Sequence, residues 1–157
     1  MKVALITVSD GCFHGTRRDA SGDSLASILS GAGFEILSRA VLPDEMEKLA
    51  ECFQQICDAG EADLLITTGG TGLGPRDVTP EATTAVAQKL VPGLAELMRL
   101  EGLKKTARAA LSRSLAGVRG RTLILNLPGS QKGAEESLNA VLPLLKHAVE
   151  ILRGGGH

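Results

Sequence analysis

The sequence predicts an α/β sandwich of three layers, with a mainly parallel, mixed central sheet and helices on both faces. Two observations carry this. Strand-length apolar runs alternate with segments of helical spacing, the order that builds parallel sheets. Four of the strand-like runs end in polar or glycine-rich segments, which such a fold gathers along one edge of the sheet, where ligands bind. No repeat, linker or low-complexity stretch interrupts the pattern before the C-terminus. A single domain is expected over residues 1–153, followed by a flexible tail at 154–157, Gly154-Gly155-Gly156-His157.

Taken in order, Val3 to Val8 is a continuous apolar strand. A polar loop follows, then a short helix over about Asp23–Ser30. Phe34 to Leu42 is the second strand. Pro43 and Asp44 open a helix in which Met46, Leu49, Ala50, Phe53, Ile56 and Cys57 recur at helical spacing. Asp63 to Thr68 is the third strand. Helices are expected through most of Glu81–Ala110. Ser114–Val118 and Thr122–Leu127 read as strands around a Gly120 turn. Leu138, Val141, Leu142, Leu145, Val149 and Leu152 stripe a final helix, with a bend expected at Pro143.

Composition narrows the function. The 157 residues suffice for one compact domain with its own core. Seventeen basic residues against 18 acidic ones leave a net charge of −1, so no basic field attracts nucleic acid. Three Phe and no Trp or Tyr leave no base-stacking platform. No apolar run approaches the ~20 residues of a membrane span. The start, Met1-Lys2-Val3, enters a strand directly, and a signal peptide is not expected. Cys12, Cys52 and Cys57 form no Cys-x-x-Cys pair and read as free thiols of a reducing cytoplasm. Cys57 lies on an apolar helix face and is expected to be buried; Cys12 lies in a candidate site loop without a dyad partner.

The most informative segment runs from Thr67 to Glu81. Gly69, Gly70, Gly72 and Gly74 fall within six residues between a strand and a helix. Without side chains there, backbone N–H groups, Thr68, Thr71 and Arg76 face whatever binds, the chemistry of a phosphate cradle. Asp77 stands at its far end, where a magnesium ion could bridge it to phosphate oxygens. The segment is neither common nucleotide fingerprint. A Walker loop requires a lysine that is missing, and Pro75 breaks the Rossmann spacing. Thr79 and Pro80 also suit an N-cap and first helical position.

The other strand ends add candidates. Asp44 is either the second acid of a magnesium site or a helix N-cap with Glu47 three residues on. Ser9 and Asp10 line the site or close a turn. Asp19-Ala20-Ser21-Gly22 is a turn or a lid. Arg76, Arg113 and Lys132 balance phosphate charge or are simply solvated. Asn126, Pro128, Gly129 and Ser130 end the last strand, and Ser130 either caps the final helix or, with Gly129, offers N–H donors to an anion. His14 and His147 have no partner at ligand or triad spacing.

Together these segments resemble one family. Val8-Ser9-Asp10, Val41-Leu42-Pro43-Asp44-Glu45, Thr68-Gly69-Gly70-Thr71-Gly72, Pro75-Arg76-Asp77-Val78-Thr79-Pro80-Glu81-Ala82-Thr83, Leu111-Ser112-Arg113 and Asn126-Leu127-Pro128-Gly129-Ser130 occur in that order. The chain is similar, over about Val3 to Arg153, to the molybdopterin adenylyltransferases of the MogA/MoaB kind and to the G domain of gephyrin. The resemblance implies transfer of AMP from ATP to the molybdopterin phosphate, with magnesium required and pyrophosphate released. It implies a cytoplasmic homotrimer that hands its product to a molybdate-insertion enzyme. It matches the family's essential aspartates to Asp44 and Asp77, a serine near the pterin dithiolene to Ser112, and the nucleotide-holding loop to Gly69–Gly72. Non-catalytic MoaB-like relatives lose these acids, and both are kept here. Ala20 stands where relatives often carry arginine, and Gln131 where many carry a basic or small residue. The basic segment Arg99–Ala110 has no assigned role. The competing expectations are a pterin-binding module without catalysis, a nucleotide pyrophosphatase of related fold, and a partner-recruiting scaffold.

Overall fold

Among the described residues, six strands and six α-helices follow one another as β1 (Lys2–Val8), α1 (Asp10–Phe13), α2 (Ala20–Gly31), β2 (Glu35–Leu42), α3 (Met46–Ala59), β3 (Leu64–Thr68), α4 (Thr79–Val86), β4 (Lys89–Leu90), α5 (Pro92–Leu103), a 3-10 helix (Ala107–Leu111), β5 (Ala116–Arg119), β6 (Thr122–Leu127) and α6 (Gln131–Leu152). This computed structural model describes residues 1–155; Gly156 and His157 of the expected tail lie outside them. The sheet order is β2-β1-β3-β6-β5-β4. β2, β1, β3 and β6 are mutually parallel, and β5 runs antiparallel to both β6 and β4. The mainly parallel, mixed sheet expected from the sequence is therefore present.

The strand sequences follow from their places. β3 and β6 are buried along their whole length and β1 beyond Lys2, so their runs are apolar on both faces. β2 is an edge strand and mostly exposed, which admits Glu35, Ser38 and Arg39. One core lies between the sheet and α2, α5 and α6, through Leu25, Leu29, Met98, Leu138, Val141 and Leu145. The second lies between the sheet and α3 and α4, through Leu49, Phe53, Ala82 and Val86. Each fully buried Leu, Ile or Phe contributes about 1.5–3 kcal/mol. Cys57 is part of this second core, and burial pushes its thiol up to about 11, so it is an inert packing group.

Several local expectations change. α2 begins at Ala20, earlier than Asp23, because the Asp19 carboxylate caps it by accepting the Gly22 N–H at 2.9 Å. Asp19–Gly22 is thus a helix start, and Asp19, Ala20 and Ser21 line a cleft at the sheet edge. Thr79 is not a cap: it lies inside α4, and its hydroxyl donates to the Gly69 carbonyl at 2.9 Å. The helical stretch expected over Glu81–Ala110 is split by β4, whose flanking Gln88 and Val91 N–H groups bond Val118 and Ala116. Two strand residues are too few to show a period. α6 runs through Pro143 without ending. It closes where Gly154, at φ +86°, and Gly155 donate N–H groups to Ile151 and Glu150 carbonyls. No helix among the described residues is long and apolar enough to cross a membrane.

Candidate functional site

Four parallel strands bring their carboxyl ends side by side, and the loops after them build the site. Glycine makes the crowding possible. Gly69 has φ +104°, and a Cβ there would sit 2.1 Å from the Val8 carbonyl oxygen. Gly70 has φ +64°, and a Cβ would meet the Thr79 hydroxyl at 2.2 Å. Gly72 and Gly74 serve another end. A Cβ at either would strike the Asp77 carboxylate, at 2.9 and 2.7 Å. The loop folds around Asp77, which accepts the Gly74 N–H at 2.8 Å through Oδ2 and donates its own N–H to the Gly74 carbonyl. The four glycines are accounted for by positive φ with the close approach of Val8 and Thr79 at Gly69 and Gly70, and by the space that Asp77 fills at Gly72 and Gly74.

Of the two sequence readings of Asp44, the fold removes the cap. α3 starts at Met46 with Glu45 at its N-cap and no side-chain capping bond, so Asp44 is not the cap. Instead Asp44 and Asp10 bracket each other. The Asp10 N–H donates to Asp44 Oδ2 at 2.9 Å, and the Asp44 N–H donates to Asp10 Oδ1 at 3.0 Å. Arg76 closes the group with two bonds of 3.0 Å to the Asp10 carboxylate. The Asp44 N–H, with help from Arg76, holds the Asp10 carboxyl below its usual range. Burial pushes the Asp44 carboxyl up, and the like charges of Asp10 and Asp77 add to the shift. A cation beside Asp44 would relieve that strain.

Two clefts open at this edge. The first, about 380 Å3, lies among the glycine loop, α5, the 3-10 helix and the start of α6; Thr71, Gly72 and Ser112 line it. The second, about 590 Å3, lies between the β1–α2 connection and the β3 loop; Ser9, Asp44, Thr68 and Gly69 line it. Gly70, Asp77, Gly129 and Ser130 border both, so Asp77 stands at their junction. Pro128 also lines the first cleft. Ser130 caps α6 by accepting the Gly133 N–H.

Asp10, Arg76, Arg113, Lys132 and Asn126 line neither cleft. Asp10 and Arg76 engage each other beside Asp44. Asn126 is fully buried in the sheet, where its amide donates to the Thr67 hydroxyl at 3.0 Å. Sequence reading also missed lining residues. Arg99, Gly102, Thr106 and Arg108 from the unassigned basic segment wall the first cleft together with Met98, and Arg17 and Arg18 border the second. Their basic density was the available signal; only the tertiary path of α5 and the 3-10 helix turns it toward the site.

Comparison with known proteins adds the family. Residues 4–147 match the model of a probable molybdopterin binding domain. The chain belongs to this molybdopterin-binding family. A molybdopterin adenylyltransferase of Helicobacter pylori is 39% identical over 154 residues, covering 97% of this chain and 88% of its own. Its Escherichia coli counterpart is 38% identical over 144 residues, covering 90% of this chain and 73% of its own. A family structure titled molybdopterin biosynthesis enzyme MoaB, from Thermus thermophilus, superposes with a TM-score of 0.92 at 53% identity, covering 98% and 96% of the two chains. A CinA structure from Thermoplasma acidophilum, at 17% identity and TM-score 0.71, shares the fold alone.

Proposed function

We propose that this protein acts in molybdenum cofactor biosynthesis as a molybdopterin adenylyltransferase. The observation that carries the reading is the place of Asp77, at the junction of two clefts and close enough to Asp44 for their charges to interact. The first cleft takes the pterin end of molybdopterin, beside Ser112. The second takes the nucleotide, with Ser9 and Thr68 on its wall. The two phosphate groups then meet over Gly70, Gly129 and Ser130, where loop N–H groups are at hand.

A phosphate oxygen of molybdopterin attacks the α-phosphorus of ATP. The new P–O bond forms as the bond to pyrophosphate breaks, giving adenylyl-molybdopterin and pyrophosphate. Neither aspartate acts as a base, because the attacking phosphate is already ionised. Asp44 and Asp77 suit magnesium, which would supply charge neutralisation when bound. With two carboxylates from the protein, the ion would be shared with substrate phosphates. The protein's contribution is placement: it aligns the two phosphates in line and keeps their charges screened.

The proposal extends to a homotrimer in the cytoplasm and to hand-over of the product to a molybdate-insertion enzyme. A relative from Chlorobaculum tepidum, named molybdenum cofactor biosynthesis bifunctional protein, supports the hand-over; this chain covers half of it. Light scattering on the purified protein tests the trimer. The activity is tested by mixing the protein with molybdopterin and Mg-ATP. Adenylyl-molybdopterin and pyrophosphate are the expected products. Asp77→Asn should nearly abolish turnover and leave molybdopterin binding measurable. Full activity in that variant would sink the assignment, and wild-type binding without product would leave a binding module.

A further inference from the structure

Resting on the two-cleft reading above, we infer that Arg113 is a positioning residue that clamps the loop carrying Asp77 and ties it to the pterin cleft. Arg113 follows Ser112, which lines the first cleft, on the segment between the 3-10 helix and β5. Its backbone N–H donates to the Thr71 carbonyl at 2.9 Å. Its Nε donates to the Gly72 carbonyl and its Nη2 to the Asp77 carbonyl, both at 2.7 Å. Its Nη1 bonds the Glu81 carboxylate in the first turn of α4. One residue therefore takes three carbonyls of the glycine loop and anchors the helix that follows it.

The grip spans Asp77. Gly72 lies before the aspartate and the Asp77 carbonyl just after it; the turn between is held by local bonds between Gly74 and Asp77 and by the Arg76 side chain on the Asp10 carboxylate. Arg113 is 36 residues from Asp77 in the chain, so the loop's position depends on a contact from another element. Each of the guanidinium's three nitrogens is already bonded to the loop or to Glu81, which turns the fork toward the protein. A planar fork can reach two carbonyls and a carboxylate at once; a lysine ammonium on a flexible stem cannot hold that geometry. The adjacent Ser112 and Arg113 thus serve the first cleft and the Asp77 loop, so one short segment borders both.

The test uses Arg113→Gln, Arg113→Lys and Glu81→Gln with two readouts. Hydrogen exchange of the Gly74 and Asp77 amides is expected to accelerate in Arg113→Gln, while the β3 and β6 amides keep wild-type protection. In steady-state adenylyl transfer, kcat is expected to fall on the order of 100-fold, as for a misplacement near 1 Å, with the Kd for molybdopterin nearly unchanged. Arg113→Lys should recover little, and Glu81→Gln should give a smaller loss of the same kind. Wild-type loop exchange in Arg113→Gln overturns the clamp. So does a raised KM for ATP at constant kcat, the result for a phosphate ligand. If Arg113→Gln does not fold, Glu81→Gln carries both readouts. Exchange needs no turnover, so an inactive wild-type protein would overturn the adenylyltransferase reading while the clamp is still decided.

Discussion

Asp44 carries opposite demands within one side chain. Burial and its neighbours raise its folded pKa above the unfolded value. A raised carboxyl favours folding below the unfolded pKa, and that contribution is lost as pH rises through the folded value. At neutral pH the ionised form works against stability. Asp44→Asn should therefore raise Tm at pH 7 and abolish adenylyl transfer. A lower Tm at pH 7 would contradict this. The wild-type activity should also fail on acidification at a higher pH than an ordinary carboxylate would give. Gly70 makes the matching point about the loop. Its positive φ and the 2.2 Å approach of Thr79 leave no room for a methyl group. Gly70→Ala is expected to cost about 1–3 kcal/mol in chemical denaturation and to weaken binding in both clefts.

At the scale of elements, α5 and the 3-10 helix form the wall that sequence reading could not assign. They can pack because residue 102 is glycine: a Cβ there would sit 2.8 Å from the Ala109 Cβ. Gly102→Ala should push the 3-10 helix outward and change KM for molybdopterin, with kcat affected less; unchanged KM would show that this wall does not touch the substrate. α6 offers a test free of the site. Pro143 is exposed inside it and denies the helix one backbone bond. Pro143→Ala should raise stability by about 1–2 kcal/mol in urea, the helical gain exceeding the lost stiffness of the unfolded chain. The helices themselves were legible wherever their apolar face repeated, as in α3 and α6. β4 was not, because a two-residue strand has no period and exists only by pairing with β5.

For the whole molecule, charge ties the chain ends together. Asp63, at the start of β3, accepts the Lys2 N–H at 2.8 Å and the Arg153 guanidinium beyond α6. Burial works against its charge, but these partners outweigh it and hold the carboxyl low. A depressed carboxyl stabilises above its unfolded pKa, and this is lost as pH falls through the folded value. Asp63→Asn should lower stability by about 1–3 kcal/mol at pH 7 and flatten the acid limb of the Tm profile. An unchanged acid limb would assign acid unfolding to other groups. Asp10, Asp23, Asp58, Glu81 and Glu135 are shifted down as well, so acid should destabilise the protein generally.

The sequence by itself determined the layered α/β class, the parallel central strands and the edge on which the candidate residues gather. Those features rest on local patterns: unbroken apolar runs, helical spacing and glycine-rich strand ends. Tertiary structure decided what each candidate does there. Spacing left Asp44 between cap and site acid, and the fold removed the cap by seating Asp44 against the backbone of Asp10, 34 residues away. The same long-range contacts buried Asn126 in the sheet and turned Arg113 from a free cation into a loop clamp. They also brought the basic segment of α5 against the first cleft. Partner choice across such distances depends on how strands and helices stack, which no local period encodes.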